Sequence, residues 1–316
     1  MIDVDDFYRP GRTPAPVVLG CMNFGKRTSA ADARRIVDVA WERGVRAYDT
    51  ANAYVDGASE QILGAALRGR RDEALVATKV GFWKKEGLAP ERVRTAIDES
   101  LGRLGMDRVD VYYLHVPDHA TPIDETLAAV KEVVAAGKAR RFGISNYASW
   151  QALELLLACD RVGLARPVVS QQIYNLLIRQ LDLEYLRFAR RYGLHTTIYN
   201  PLAGGLLTDR FAADHQTGAR FERNALYQRR YLSDVFFEAV GAFAALAREA
   251  GLTLVTLAYA WLARRPGVDS ILVGPGSVAH LEDALAAVEV VLPDDVVAKV
   301  DAIHRALVGT DTSYAR

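Results

Sequence analysis

The stretch Arg46-Ala47-Tyr48-Asp49-Thr50-Ala51-Asn52-Ala53-Tyr54 presents a carboxylate and, five positions later, a phenol, where a short apolar run gives way to small polar residues. The same transition recurs downstream. Lys79 closes Ala74-Leu75-Val76-Ala77-Thr78, and His115 closes Val109-Asp110-Val111-Tyr112-Tyr113-Leu114. Either residue alone is weak evidence, since a lone Lys is usually a solvated charge and a lone His usually structural. Four proton-carrying groups at three successive run ends suit proton transfer. A tyrosine, with an ordinary pKa near ~10, is a poor acid at neutral pH. An ammonium close by favours its phenolate. Lys79 suits that task, Asp49 suits holding Lys79 charged, and His115 suits a hydrogen bond to a carbonyl oxygen beside Tyr54. General acid catalysis of this kind is worth ~10²–10⁴ in rate. A proton is half of a reduction, so a hydride donor must lie against the same carbonyl. Ser145, Asn146 and Gln171 offer hydroxyl and amide groups suited to a carboxamide, and Tyr199 offers a stacking face.

These residues sit at the exits of β-rich runs that alternate with helix-period segments along the whole chain. Expected strands are 17–22, 46–50, 74–79, 109–115, 139–146, 168–171, 195–199 and 270–273. Expected helices are 30–43, 59–67, one opening at Pro90, 123–136 closed by Gly137, 148–157, 182–192 closed by Gly193, 235–250, 255–263, 278–288 and 294–307. Residues 202–232 read as a long irregular stretch. Such alternation calls for parallel strands covered by helices, and eight units favour a closed (β/α)8 barrel over an open sheet. An open dinucleotide-binding sheet would carry G-x-G-x-x-G after its first strand, and the chain has no such turn. No Pro-, Gly- and Ser-rich linker divides it, so residues 1–316 read as one domain, with extra C-terminal helices and long loops at the catalytic face.

Composition sets the function class negatively. Half of the 316 residues are hydrophobic, which supplies a large core, and 39 Lys plus Arg balance 39 Asp plus Glu, so no net field recommends nucleic acid or an anionic membrane. Cys21 and Cys159 form neither a metal-ligand spacing nor a disulfide framework. No apolar run approaches the ~20 residues of a membrane helix, and MIDVDDFYRP is acidic where a signal peptide is basic. A cytoplasmic protein is expected.

Tyr48-Asp49-Thr50-Ala51-Asn52-Ala53-Tyr54, Thr78-Lys79, Leu114-His115-Val116-Pro117-Asp118 and Gly143-Ile144-Ser145-Asn146-Tyr147, taken in order, resemble the aldo-keto reductases. The stretches 114–122, 145–150 and 199–208, with the ending Ser313-Tyr314-Ala315-Arg316, look most like the aflatoxin aldehyde reductase and succinic semialdehyde reductase branch. The resemblance implies a (β/α)8 barrel that binds NADPH across its mouth. It implies Tyr54 as general acid with Asp49, Lys79 and His115 as partners. Met22, Asp49, Ser145, Asn146, Gln171 and Tyr199 would meet the nicotinamide half. Asn200, Pro201, Leu202, Gly204 and Leu206 would wrap the pyrophosphate, and Gly274, Gly276, Ser277 and His280 would meet the adenosine half. His280 and Ala284 stand where the family commonly shows a Gln or Arg and, four residues on, an Asn. Arg and Lys are the usual partners of a 2′-phosphate, and none stands between Gly274 and Leu285, so NADH is possible as well.

At the substrate end, Trp83, His115, Tyr227, Arg230, Tyr231 and Arg316 are the candidates. The similar branch is associated with aldehydes, dicarbonyls and acid-bearing semialdehydes, and Arg230 and Arg316 suit a bidentate grip on a carboxylate. The expected partner is thus a small-molecule carbonyl compound, with the protein a monomer or homodimer. Alternatives are a cofactor-binding regulatory subunit with little turnover, as channel-associated relatives are, and a deoxysugar ketoreductase. A Schiff-base role for Lys79 would leave Tyr54 and Gln171 without a task.

Overall fold

The computed structural model describes residues 2–214, 221 and 224–309. Its centre is a closed barrel of eight parallel strands in sequence order: β1 (Val17–Gly20), β2 (Ala47–Asp49), β3 (Leu75–Val80), β4 (Val109–Leu114), β5 (Ala139–Ser145), β6 (Val169–Ile173), β7 (His195–Tyr199) and β8 (Ser270–Val273), with β8 pairing back onto β1. Helix α1 (Val4–Phe7) precedes the barrel. The covering helices are α2 (Ala30–Glu42), α3 (Ala58–Ala66), α4 (Pro90–Leu104), α5 (Ile123–Ala135), α6 (Ser149–Val162) and α7 (Tyr185–Arg191). Between β7 and β8 come α8 (Asp209–Asp214), α9 (Ala225–Tyr231), α10 (Asp234–Glu249) and α11 (Leu254–Ala263), and after β8 come α12 (Val278–Glu289) and α13 (Asp294–Val308).

The period of two along each strand decides which side chains reach the interior. On β3, Val76 and Val80 face the helix layer while Leu75 and Ala77 face the barrel axis, so Lys79 continues the inward row. On β4, Tyr112 and Leu114 join the outer core and Val111 and Tyr113 the inner one, which carries His115 inward just past the strand end. On β2, Tyr48 is outward and Ala47 inward, so Asp49 is inward too. The inward rows that pack as Val18, Ala47, Leu75, Val111 and Val169 at one end of the barrel thus become Asp49, Lys79 and His115 at the other. Gly143 on β5 makes room for this, because a Cβ there would stand 2.7 Å from the Tyr113 ring.

The structure corrects several expectations. The N-terminal segment, read only as acidic, forms α1, whose Val4 and the following Tyr8 plug the inner core at the N-terminal end of the strands. Asp3 caps that short helix by accepting from the backbone N–H groups of Asp5 and Asp6. Residues 202–232 are not irregular throughout, since they contain α8 and α9. β1 stops at Gly20 rather than Met22, because Phe24 N–H turns back to the carbonyl of Cys21 at 2.9 Å. β6 runs on to Ile173, opposite Tyr199. Helix α6 reaches Val162, where Gly163 in the left-handed conformation ends it. Residues 182–184 belong to a tight turn and its exit, so α7 starts at Tyr185. Among the described residues, no single helix is long and apolar enough to cross a membrane.

Candidate active site

Lys79 is wholly buried and spends its donors at one place. Its ammonium bonds the Asp49 carboxylate, the Thr50 carbonyl at 2.8 Å and the Tyr54 hydroxyl at 3.5 Å. Burial pushes the ammonium pKa down, and the Asp49 carboxylate opposes that. Gln171 on β6 donates to the other Asp49 oxygen at 2.9 Å, so both carboxylate oxygens are engaged. Thr50 is held in turn by Ser59 at the start of α3, whose hydroxyl also bonds the carbonyl of Cys21. The residue whose carbonyl orients Lys79 is therefore tied to the start of α3 and, through Ser59, to the exit of β1.

Tyr54 stands across the mouth from His115, edge to face with ring centroids 5.8 Å apart. The turn that carries it is strained, because Val55 and Asp56 follow in the left-handed region at φ 52° and 50°. A β-branched residue there is an outlier, of the kind that costs ~1–3 kcal/mol and clusters at functional sites. His115 Nδ1 is buried without a hydrogen bond. Burial first, and the Lys79 charge second, push the His115 pKa well below its ordinary value. The imidazole is neutral at neutral pH, and protonation waits for more acid conditions. A pH profile of kcat/KM is therefore expected to show no histidine break near ~6.5. A break there would mean that an ordinary imidazolium forms.

The next strand ends converge on the same rim. Asn146, at φ 65°, donates to the carbonyl of His115 at 2.9 Å and to Ser145 Oγ at 3.0 Å, and its oxygen accepts the Tyr199 hydroxyl at 2.7 Å. Ser145 donates to the Gln171 carbonyl at 2.9 Å. Burial pushes the Tyr199 phenol up to about 12, with Arg230 pulling the other way, so Arg230, Tyr227 and Tyr54 all lie within electrostatic reach of Tyr199. Beyond β7, Asn200, Pro201 and Leu202 lead into a turn in which Gly204 has φ 75°. Leu206 turns its side chain into the core. Met22 lies just past β1, half-buried. Asn23 donates to the Gly274 carbonyl at 3.3 Å, tying the β1 and β8 exits together. A Cβ at Gly274 would meet only the Gly20 carbonyl, at 3.7 Å. Gly276 and His280 are exposed, and Ser277 caps α12 by accepting from the His280 N–H at 3.3 Å.

The donor set at the mouth fits a nicotinamide dinucleotide. Beyond the bonds already described, a carboxamide could meet the second N–H of the Gln171 amide and the second lone pairs of Ser145 Oγ and the Asn146 oxygen, and the half-buried Tyr199 ring is anchored at its hydroxyl. Gly274 and Gly276 are exposed on either side of the buried Pro275, just before the N-terminus of α12, where backbone N–H groups suit a phosphate.

The substrate candidates divide. Trp83 folds back, its indole N–H bonding Asp56 at 2.9 Å with Lys84 over its ring. Its neighbour Phe82, 52% exposed, packs on the His115 ring at 5.2 Å and was not singled out from sequence. Two adjacent aromatics after a strand give no signal as to which one faces the site. Tyr231 is no pocket wall, since it is 0% exposed with its hydroxyl between Asn175 and Asn200, and Arg316 lies outside the described residues. Sequence reading also passed over Thr50, whose contribution is a backbone carbonyl and so leaves no trace in residue type.

A sequence model of the Aldo/keto reductase family matches residues 16–305. The chain is 36% identical over 300 residues to Aflatoxin B1 aldehyde reductase member 2 of Rattus norvegicus, covering 89% of this chain and 80% of the relative. It is 34% identical over 297 residues to Aflatoxin B1 aldehyde reductase member 4 of Homo sapiens, covering 88% and 90%. It is also 32% identical over 307 residues, 93% of each chain, to a probable voltage-gated potassium channel subunit beta of Oryza sativa subsp. japonica.

Proposed function

From the premise that this chain belongs to the aldo/keto reductase family, oxidoreductases acting on carbonyl groups, we propose that Tyr54 is the proton donor in an NAD(P)H-dependent reduction of an aldehyde or ketone. The observation that carries this reading is the branching of the buried Lys79 ammonium between Asp49 and the Tyr54 hydroxyl, with His115 facing Tyr54. The cofactor supplies the hydride when bound. Tyr54 gives its proton to the carbonyl oxygen as charge builds there. Lys79 stabilises the phenolate left behind, and Asp49, itself held by Gln171, keeps Lys79 charged and in place. Neutral His115 orients the carbonyl oxygen by a hydrogen bond. Ser145, Asn146 and Gln171 would hold the carboxamide, Met22 and Tyr199 would meet the nicotinamide ring, the segment from Asn200 to Leu206 would take the pyrophosphate, and Gly274, Gly276, Ser277 and His280 would take the adenosine half.

The preferred cofactor is NADPH, with NADH as the alternative. The test is a fluorescence titration with each, followed by a panel of carbonyl compounds. Cofactor binding with negligible carbonyl-dependent oxidation would instead favour a regulatory subunit, a reading motivated by the likeness to the rice channel subunit.

The substrate proposed is an aldehyde bearing an acid group, read by Arg230. Its electrostatic reach to Tyr199, which Tyr54 also reaches, supports this. Arg230→Ala is expected to raise KM for succinic semialdehyde ~10–100-fold, the worth of a charge-assisted hydrogen bond of about 1.5–3 kcal/mol, and to spare 4-nitrobenzaldehyde. Equal loss on both substrates would sink the assignment.

A further inference from the structure

Helix α9 is joined to the loop after β7 by a buried hydrogen-bond node. Its last residue, Tyr231, is 0% exposed. The Tyr231 hydroxyl accepts from the side-chain amides of Asn200 at 2.9 Å and Asn175 at 3.3 Å. Asn200 sits at φ 65°, and its side-chain oxygen accepts the Gly204 N–H at 3.1 Å. Its backbone carbonyl accepts from Asn175 at 3.0 Å and from the Ala203 N–H at 2.9 Å. Asn175 is anchored itself, accepting the N–H groups of Leu177 and Ile178. One helical turn earlier, Tyr227 lies so close to Gly204 that a Cβ there would be 3.0 Å from its ring. Positions 227 and 231, four apart, share a helix face, so α9 presses on both ends of the Asn200–Gly204 turn.

We propose that Tyr231 is a positioning residue for the dinucleotide: it holds the Asn200–Gly204 turn in the left-handed form that receives the cofactor. This rests on the proposed role of that turn. Asn200 then acts as scaffold, since its oxygen and its amide are both spent on the protein. Three left-handed residues, Asn200, Ala203 and Gly204, occur within five positions, and Asn200 and Ala203 are not glycines. Such a turn persists only if its surroundings enforce it, and Tyr231 with Asn175 provides the enforcement. Arg230, the preceding residue, reaches Tyr199, so the same helix presents the proposed substrate cation.

The test is NADPH titration by fluorescence of the whole protein, with amide hydrogen exchange at Gly204 as an activity-independent readout. Tyr231→Phe takes away the acceptor that the Asn200 and Asn175 amides share, leaving Asn175 its bond to the Asn200 carbonyl, and the expected result is a cofactor Kd about 5–10-fold higher with faster exchange at Gly204. Tyr112→Phe, which removes a buried hydroxyl bonded to the Val93 carbonyl behind β4, is the control. It is expected to leave the cofactor Kd unchanged. If Tyr231→Phe does not fold, Asn175→Ala approaches the same turn through the Asn200 carbonyl and is expected to raise Kd in the same direction, by a smaller factor. Unchanged Kd in both variants, with wild type binding NADPH, overturns the positioning role alone. Absence of binding of both NADPH and NADH to the wild type removes the reading of the turn itself, and the positioning role with it.

Discussion

Tyr54→Phe is expected to lower kcat/KM for carbonyl reduction by ~10²–10⁴, the usual worth of a positioned general acid, while leaving the NADPH dissociation constant near the wild-type value. The substitution removes one hydroxyl and keeps the ring, so the edge-to-face contact with His115 survives. The fold has little reason to respond, because the hydroxyl sits at a half-buried mouth and its contact with Lys79 is long, at 3.5 Å. A stopped-flow comparison at saturating cofactor checks this. Wild-type rates in Tyr54→Phe would mean that the proton comes from elsewhere.

Lys79→Met carries the second large effect, and it falls on stability as well as rate. Asp49 is buried, and Gln171 would remain its side-chain partner. Breaking a buried pair from one side typically costs ~3–5 kcal/mol, because an uncompensated charge is left behind. A Tm lower by roughly 10 °C is expected, together with a rate loss of at least ~10² from the missing stabilisation of the Tyr54 phenolate. Adding Asp49→Asn removes the stranded charge, since replacing both members of such a pair is often close to neutral. The double variant should therefore recover most of the lost Tm and none of the lost rate. If the rate returns with stability, Lys79 serves the fold and not the proton transfer.

The part of the site that sequence discloses is the part governed by strand alternation. Asp49, Lys79 and His115 occupy inward positions at the exits of β2, β3 and β4, and the apolar residues two positions before each of them report that face. Interactions set by loops and short helices are not legible in this way. α1 has four residues, too few for a helical period, and its capping by Asp3 looks like any acidic terminus. α9 lies in a segment whose turn chemistry masks it, so Tyr231 reads as one aromatic among several until its hydroxyl is seen between Asn175 and Asn200. The choice of Phe82 over Trp83 against His115 depends on the Asp56–Trp83 bond, made by a residue in a strained turn that no propensity would suggest.

In the proposed reaction, hydride and proton meet at one carbonyl beside Tyr54. The direct measurement is reduction of 4-nitrobenzaldehyde by the wild-type protein with NADPH deuterated at the transferring position of the nicotinamide, with mass spectrometry of the alcohol. Deuterium at the former carbonyl carbon, formed at a rate that falls ~10²–10⁴ in Tyr54→Phe, is the predicted result. Alcohol without deuterium, or cofactor bound with no alcohol formed, would contradict it.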